Sequence, residues 1–116
     1  MTITDLAALV EGAAIGTAEA LAREAGGGYA SDLLSDVMAN ARDGDAWITL
    51  QRHVNTVAVA QLRNLAAIVI VNGRQPEADV LERAAAHDVA IVTTALTAFD
   101  AAGRLYAAGL RGRGAS

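Results

Sequence analysis

The chain has 116 residues, of which 53% are hydrophobic and 19% charged, with a net charge of −4 and a mean hydropathy of +0.32. That length gives one domain with a sizeable core, and the apolar fraction excludes a disordered chain. There is no cysteine and no lysine, all nine basic residues being arginine, which excludes disulfides, thiolate metal sites, cysteine nucleophiles, Schiff-base chemistry and a P-loop lysine.

Along the chain, Thr4 is placed to cap a short helix over Asp5 to Val10, and Ala13-Ala14-Ile15 suits a short strand. The triplet Gly26-Gly27-Gly28 breaks any helix and reads as a loop leading into Tyr29 and Ala30. Ser31 then caps a helix over Asp32 to Ala41, with Leu33, Leu34, Val37 and Met38 towards the core and Asp32, Ser35 and Asp36 on a polar flank. Arg42-Asp43-Gly44-Asp45 has the composition of a turn.

The second half carries the clearest pattern. Ala46 to Leu50, Ala66 to Val71 and Val89 to Thr93 are continuous apolar, β-branched runs, the signature of strands covered on both faces. Helical segments over Val54 to Leu65 and Pro76 to His87 separate them. In the second of these, Val80, Leu81, Ala84 and Ala85 form one apolar stripe, and Pro76 suits the first turn. A last helix is marked by Thr97 and Asp100 as a capping pair, with Phe99, Ala102, Gly103 and Tyr106 predicted as its buried face. Residues 111–116 have no apolar anchor and read as a flexible tail behind a single domain over 1–110. The fold class that follows is a small α/β domain, mainly a parallel sheet with flanking helices from successive βα units.

In such a sheet, ligands bind outside the carboxyl ends of the strands. Three polar loops fall there: Gln51 to Asn55, Asn72 to Gln75, and Thr93-Thr94. Their arginines, histidine, amides and hydroxyls suit a phosphate or carboxylate, although loops are polar for solvation as well. The candidate ligand contacts are Arg52, His53, Asn55, Asn72, Arg74, Thr93 and Thr94, with Gly27, Gly28 and Ser31 as backbone or hydroxyl donors. His53 has no nucleophile beside it, and His87 suits a structural role at a helix C-terminus. Asp32, Ser35 and Asp36 offer oxygen ligands to a cation or simply form a solvated face. No metal site, cofactor or catalytic residue is assigned.

The run Gly27-Gly28-Tyr29-Ala30-Ser31-Asp32-Leu33-Leu34-Ser35-Asp36-Val37-Met38 resembles the signature of stand-alone DRTGG-domain proteins. The resemblance continues through residues 44–51, Asn55, residues 57–60 and 65–74, Ala98-Phe99 and residues 103–106. The name-giving motif departs from the family here: Ala22 to Gly28 keeps an arginine and the glycines but lacks the aspartate and the threonine. Such domains occur alone, beside CBS domains and in the regulatory part of some phosphotransacetylases, and are similar to the N-terminal domain of HPr kinase, which is not the kinase. The resemblance therefore implies a regulatory or ligand-sensing α/β module, commonly a homodimer, with no established reaction.

The expected function is non-enzymatic: a regulatory domain that binds a small anionic metabolite or nucleotide at the carboxyl edge of the sheet. The alternative is a protein–protein interaction module, or an accessory subunit of a metabolic or redox complex, without a ligand of its own. A small acid–base enzyme using His53 with Asp32 or Asp36 is the least favoured reading. The acidic balance and scarcity of aromatics argue against nucleic acid as partner. The longest apolar stretch, Leu65 to Val71, is far short of the ~20 residues that span a bilayer. With no basic start and apolar h-region, the expectation is a soluble cytoplasmic protein.

Overall fold

A computed structural model describes residues 1–113. Its elements, in chain order, are α1 (Ile3–Leu9), β1 (Ala13–Ile15), α2 (Ala18–Ala22), β2 (Gly27–Ala30), α3 (Leu34–Asn40), β3 (Asp45–Thr49), α4 (Asn55–Leu62), β4 (Ala67–Ile70), α5 (Ala78–Ala86), β5 (Ala90–Thr93) and α6 (Ala98–Ala107). The strands form one sheet in the order β1-β5-β4-β3-β2. Strands β2 to β5 are parallel, each βα unit stepping one place along the sheet, and β1 closes the far edge antiparallel to β5. The expected α/β class is confirmed, with one antiparallel edge strand added.

Alternation of side chains along the strands builds two different faces. The register aligns Trp47, Ile68 and Ile91 across β3, β4 and β5. These bulky side chains join Val37, Val57, Ala60, Val80 and Ala84 of α3, α4 and α5 in one core layer. One position earlier, the same register aligns Ala46, Ala67 and Ala90. That row of methyl groups leaves room on the opposite face for α1, α2 and α6, which bring Ile3, Leu6, Ala20, Ala101 and Leu105 to the second core layer. All residues of β3, β4 and β5 are buried, which is why these strands read as unbroken apolar runs.

Several local expectations are corrected. Helix α1 starts one residue after Thr2, not Thr4: Thr2 and Asp5 form a reciprocal capping box. The glycine triplet is not only a loop, since Gly27 and Gly28 open β2 in register with Asp45 and Ala46. Helix α3 begins at Leu34, because Asp32 is drawn away to the β3 terminus; the Ser31 hydroxyl oxygen accepts instead from the Leu33 N–H. Pro76 lies before the first turn of α5. Along α5, Val80 and Ala84 are buried whereas Ala85 is exposed.

On α6, Thr97 does cap the helix, accepting from the Asp100 N–H. Its buried face, however, is Ala101 and Leu105, while Phe99 is 87% and Tyr106 58% exposed. Residues 111–113 are held although they lack an apolar anchor. Arg111 accepts a bond from the Gly28 N–H and stacks on Tyr106, and Arg113 pairs with Asp45. The rest of the expected tail lies outside the described residues.

Candidate functional site

The carboxyl ends of β2, β3 and β4 converge on a polar hollow of about 230 Å³, lined by Asp32, Leu50, Gln51, Arg52, His53 and Arg74. Asp32 forms one wall. One carboxylate oxygen, Oδ1, accepts from the Thr49 hydroxyl at 2.8 Å and from the Leu50 N–H at 2.7 Å. Gln51 Nε2 donates to the Asp32 main-chain carbonyl at 2.9 Å, locking the β2 and β3 loops together. Thr49 is itself buried and accepts from the Gln51 N–H, so the strand end holds this arrangement rigidly.

The cationic side of the hollow comes from the next two loops. Arg52 reaches the Gln75 carbonyl at 3.4 Å, a long bond, and its own carbonyl accepts from the Glu77 N–H. Arg74 follows the Asn72-Gly73 turn, in which both residues have positive φ. That turn is pinned by its N–H groups donating to the Leu96 and Thr94 carbonyls. Among the described residues the Arg74 side chain has no hydrogen-bond or ion-pair partner. His53 Nδ1 lies 2.7 Å from Glu77 Oε1. The bond with His53 holds the Glu77 carboxyl below the usual carboxylate range, and Arg52 lowers it further.

Of the ten residues expected to bind, three line the hollow: Arg52, His53 and Arg74. Asn55 stands exposed at the first turn of α4, and Asn72 forms the turn before Arg74. Ser31 is spent on the β2–α3 turn, its hydroxyl accepting from Leu33 and its carbonyl from the Trp47 indole N–H. Thr93 and Thr94 are buried, and the Thr94 hydroxyl donates to the Val10 carbonyl at 2.7 Å, tying β5 to the end of α1. Gly27 and Gly28 stand at the amino end of β2, opposite the hollow, with the Gly28 N–H already given to Arg111. Glycine there serves close approach: a Cβ at Gly27 would lie 2.7 Å from Asp45 Oδ1.

Asp32, named in the sequence as an oxygen ligand or an acid–base partner but not among the ten anion contacts, lines the hollow. Glu77, 24 residues from His53, gives no local signal. The hollow also brings Asp32 and His53 together, as an acid–base pair would require. Yet Asp32 Oδ1 bonds Thr49 and Leu50, His53 Nδ1 bonds Glu77, and no hydrogen bond joins Asp32 to His53 among the described residues. Asp36 lies elsewhere, accepting from the Tyr29 hydroxyl at 2.8 Å and from Asn40 at 2.9 Å. Those bonds hold its carboxyl below, and the Tyr29 phenol above, their ordinary ranges. Among the described residues no three His, Asp or Glu side chains are grouped to hold a metal ion, and no helix is long and apolar enough to cross a membrane.

No protein-family model matches the chain, and no curated protein matches it in sequence. In structure it is similar to the CBS and DRTGG domains of the regulatory region of Clostridium perfringens pyrophosphatase, solved with its activator diadenosine tetraphosphate. The TM-score is 0.74 at 14% identity, over 90% of this chain and 45% of that one. The fold is DRTGG-like. The chain spans less than half the length of this structural neighbour, and the likeness is one of architecture.

Proposed function

We propose that this DRTGG-like domain is a non-catalytic regulatory module that binds a small phosphate-bearing ligand in the hollow at the carboxyl edge of its sheet. The observation that carries the proposal is the convergence of Arg52, His53 and Arg74 on one concave polar surface. Arg74 presents a guanidinium with no protein partner among the described residues, a fork suited to phosphate oxygens. The regulatory neighbour, crystallised with a nucleotide activator, supports a sensing role. The test is stabilisation by adenosine monophosphate, read as a shift in unfolding temperature. Wild type gains stability with nucleotide concentration, and Arg52→Ala and Arg74→Ala each abolish most of the gain. Equal stabilisation of the variants would refute this site.

A second reading, as a protein-interaction module, has one observation in its favour. Phe99, Gly103 and Tyr106 of α6 are exposed, Phe99 at 87% and Tyr106 at 58%. A homodimer formed through this face buries them. Light scattering of wild type and Phe99→Ser distinguishes the outcomes: a dimer that the substitution dissociates supports the reading, and a wild-type monomer near 11.8 kDa removes it.

A further inference from the structure

We infer that the ligand is a phosphate monoester carrying free hydroxyl groups, a sugar phosphate or nucleoside monophosphate in chemical class, and not inorganic phosphate or a polyphosphate. The inference rests on the anion site proposed above and follows from the residue that shares its walls. Asp32 is an acceptor on a surface whose other charged members are cations. Its Oδ1 is filled by Thr49 and Leu50, whereas Oδ2 has no hydrogen-bond partner among the described residues. Neither Arg52 nor Arg74 forms an ion pair with it among the described residues. Asp32 is exposed, so this fixed oxygen faces solvent and can exchange water for a ligand hydroxyl.

The charge balance points the same way. The two guanidinium groups of Arg52 and Arg74 face two carboxylates, Asp32 in the wall and Glu77 behind His53. With those carboxylates counted the arginines bring no surplus positive charge, so the hollow suits one phosphate held through guanidinium N–H donors rather than by net charge. Each further phosphate would have no cation left and would approach Asp32, where like charges repel. The hollow, about 230 Å³ and open to solvent, has room for a phosphate and an attached sugar ring. The division of labour is then defined. Arg52 and Arg74 take the phosphate, and Asp32 Oδ2 accepts from a hydroxyl.

The experiment compares ribose 5-phosphate, inorganic phosphate and inorganic pyrophosphate by NMR titration of the full chain, with wild type and Asp32→Asn. Wild type is expected to bind ribose 5-phosphate at least about tenfold more tightly than either inorganic anion, the contribution of a charge-assisted hydrogen bond. Asparagine keeps an acceptor oxygen for Thr49 and Leu50 but replaces the free oxygen with an amide donor. Asp32→Asn is therefore expected to lose the preference, binding inorganic phosphate as well as or better than wild type does. Phosphate binding at Arg52 and Arg74 without a sugar preference in wild type overturns this inference and leaves the anion site standing. No binding of any of the three at those arginines overturns both. The wild-type comparison alone decides the matter if Asp32→Asn does not fold.

Discussion

Arg113 donates to Asp45 Oδ1 from both Nε and Nη2, at 3.1 and 2.6 Å, across 68 residues of sequence. Asp45 is 1% exposed and its other oxygen accepts from the Arg42 N–H. The same guanidinium donates to the Asp43 carbonyl. Leu110 to Arg113 thus forms a strap along the β2 edge, where the Arg111 carbonyl accepts from Gly28. An edge strand with unpaired backbone groups invites association, and the strap covers part of it.

Removing the cation leaves a buried carboxylate without its main partner. Arg113→Ala is expected to cost about 2–3 kcal/mol, and Asp45→Asn, whose amide nitrogen must face either the Arg113 donors or the Arg42 N–H, about as much. Urea unfolding reads both through Trp47, the single tryptophan, which is fully buried. An Arg113→Ala variant within about 0.5 kcal/mol of wild type would show that the strap contributes nothing.

Neighbouring glycines respond oppositely to an added methyl group. At Gly27 a Cβ meets Asp45 Oδ1 at 2.7 Å and the Arg111 carbonyl at 2.9 Å, so Gly27→Ala forces the strap outward and costs about 1–3 kcal/mol. At Gly28 the nearest atom is Leu110 Cδ2 at 3.4 Å, an ordinary contact, and Gly28→Ala changes stability by less than about 1 kcal/mol. The difference between the two midpoints is the measurement, and equal effects would contradict it.

The four consecutive parallel strands differ in how plainly the chain announces them. β3, β4 and β5 are legible because both of their faces are buried, leaving unbroken apolar runs. β2 is hidden because glycine has no side-chain pattern, and its reason for being glycine, the Asp45–Arg113 pair, lies far along the chain. On α6 the large aromatics point to the wrong face. The alanine row of the sheet accepts Ala101 and Leu105 in close packing, so Phe99 and Tyr106 turn outward. For the hollow, the arginines and His53 were legible as a polar edge. Asp32 was not, because local capping chemistry competes with a strand end 17 residues away.

Acid is expected to weaken the fold through carboxylates whose pKa values are depressed in the native state. Asp5 is lowered by the Thr2 cap, Asp36 by Tyr29 and Asn40, and Glu77 by His53. Each contributes stability above its ordinary value, 3.8 for the aspartates and 4.5 for Glu77, that is lost as pH falls through the depressed native value. The unfolding temperature is therefore insensitive to these groups between pH 7 and about 5 and falls below the ordinary range. Exposure keeps each contribution small. At the alkaline end Tyr29, raised above its ordinary 10.0 by Asp36, contributes below that value and loses its contribution as pH rises through the native pKa. A Tyr29→Phe variant should lose this alkaline component of the profile, and a profile identical to wild type would contradict the assignment.

The caps give an independent check on local structure. Thr2 and Thr97 each accept from a first-turn N–H, on Asp5 and Asp100. Thr2→Ala and Thr97→Ala are each expected to cost about 1 kcal/mol, measured by urea midpoints. Thr4→Ala, which removes a hydroxyl donating at 3.4 Å to the Leu21 carbonyl, should cost less.

The central claim, an anion site at the carboxyl edge, is tested most directly by amide NMR of the labelled chain during titration with ribose 5-phosphate. The account predicts saturable shifts concentrated at Asp32, Leu50 to His53 and Asn72 to Gln75, lost in the Arg52→Ala, Arg74→Ala double variant. Shifts that are absent, or that centre on the β2–α6 side around Tyr29 and Leu110, would contradict it.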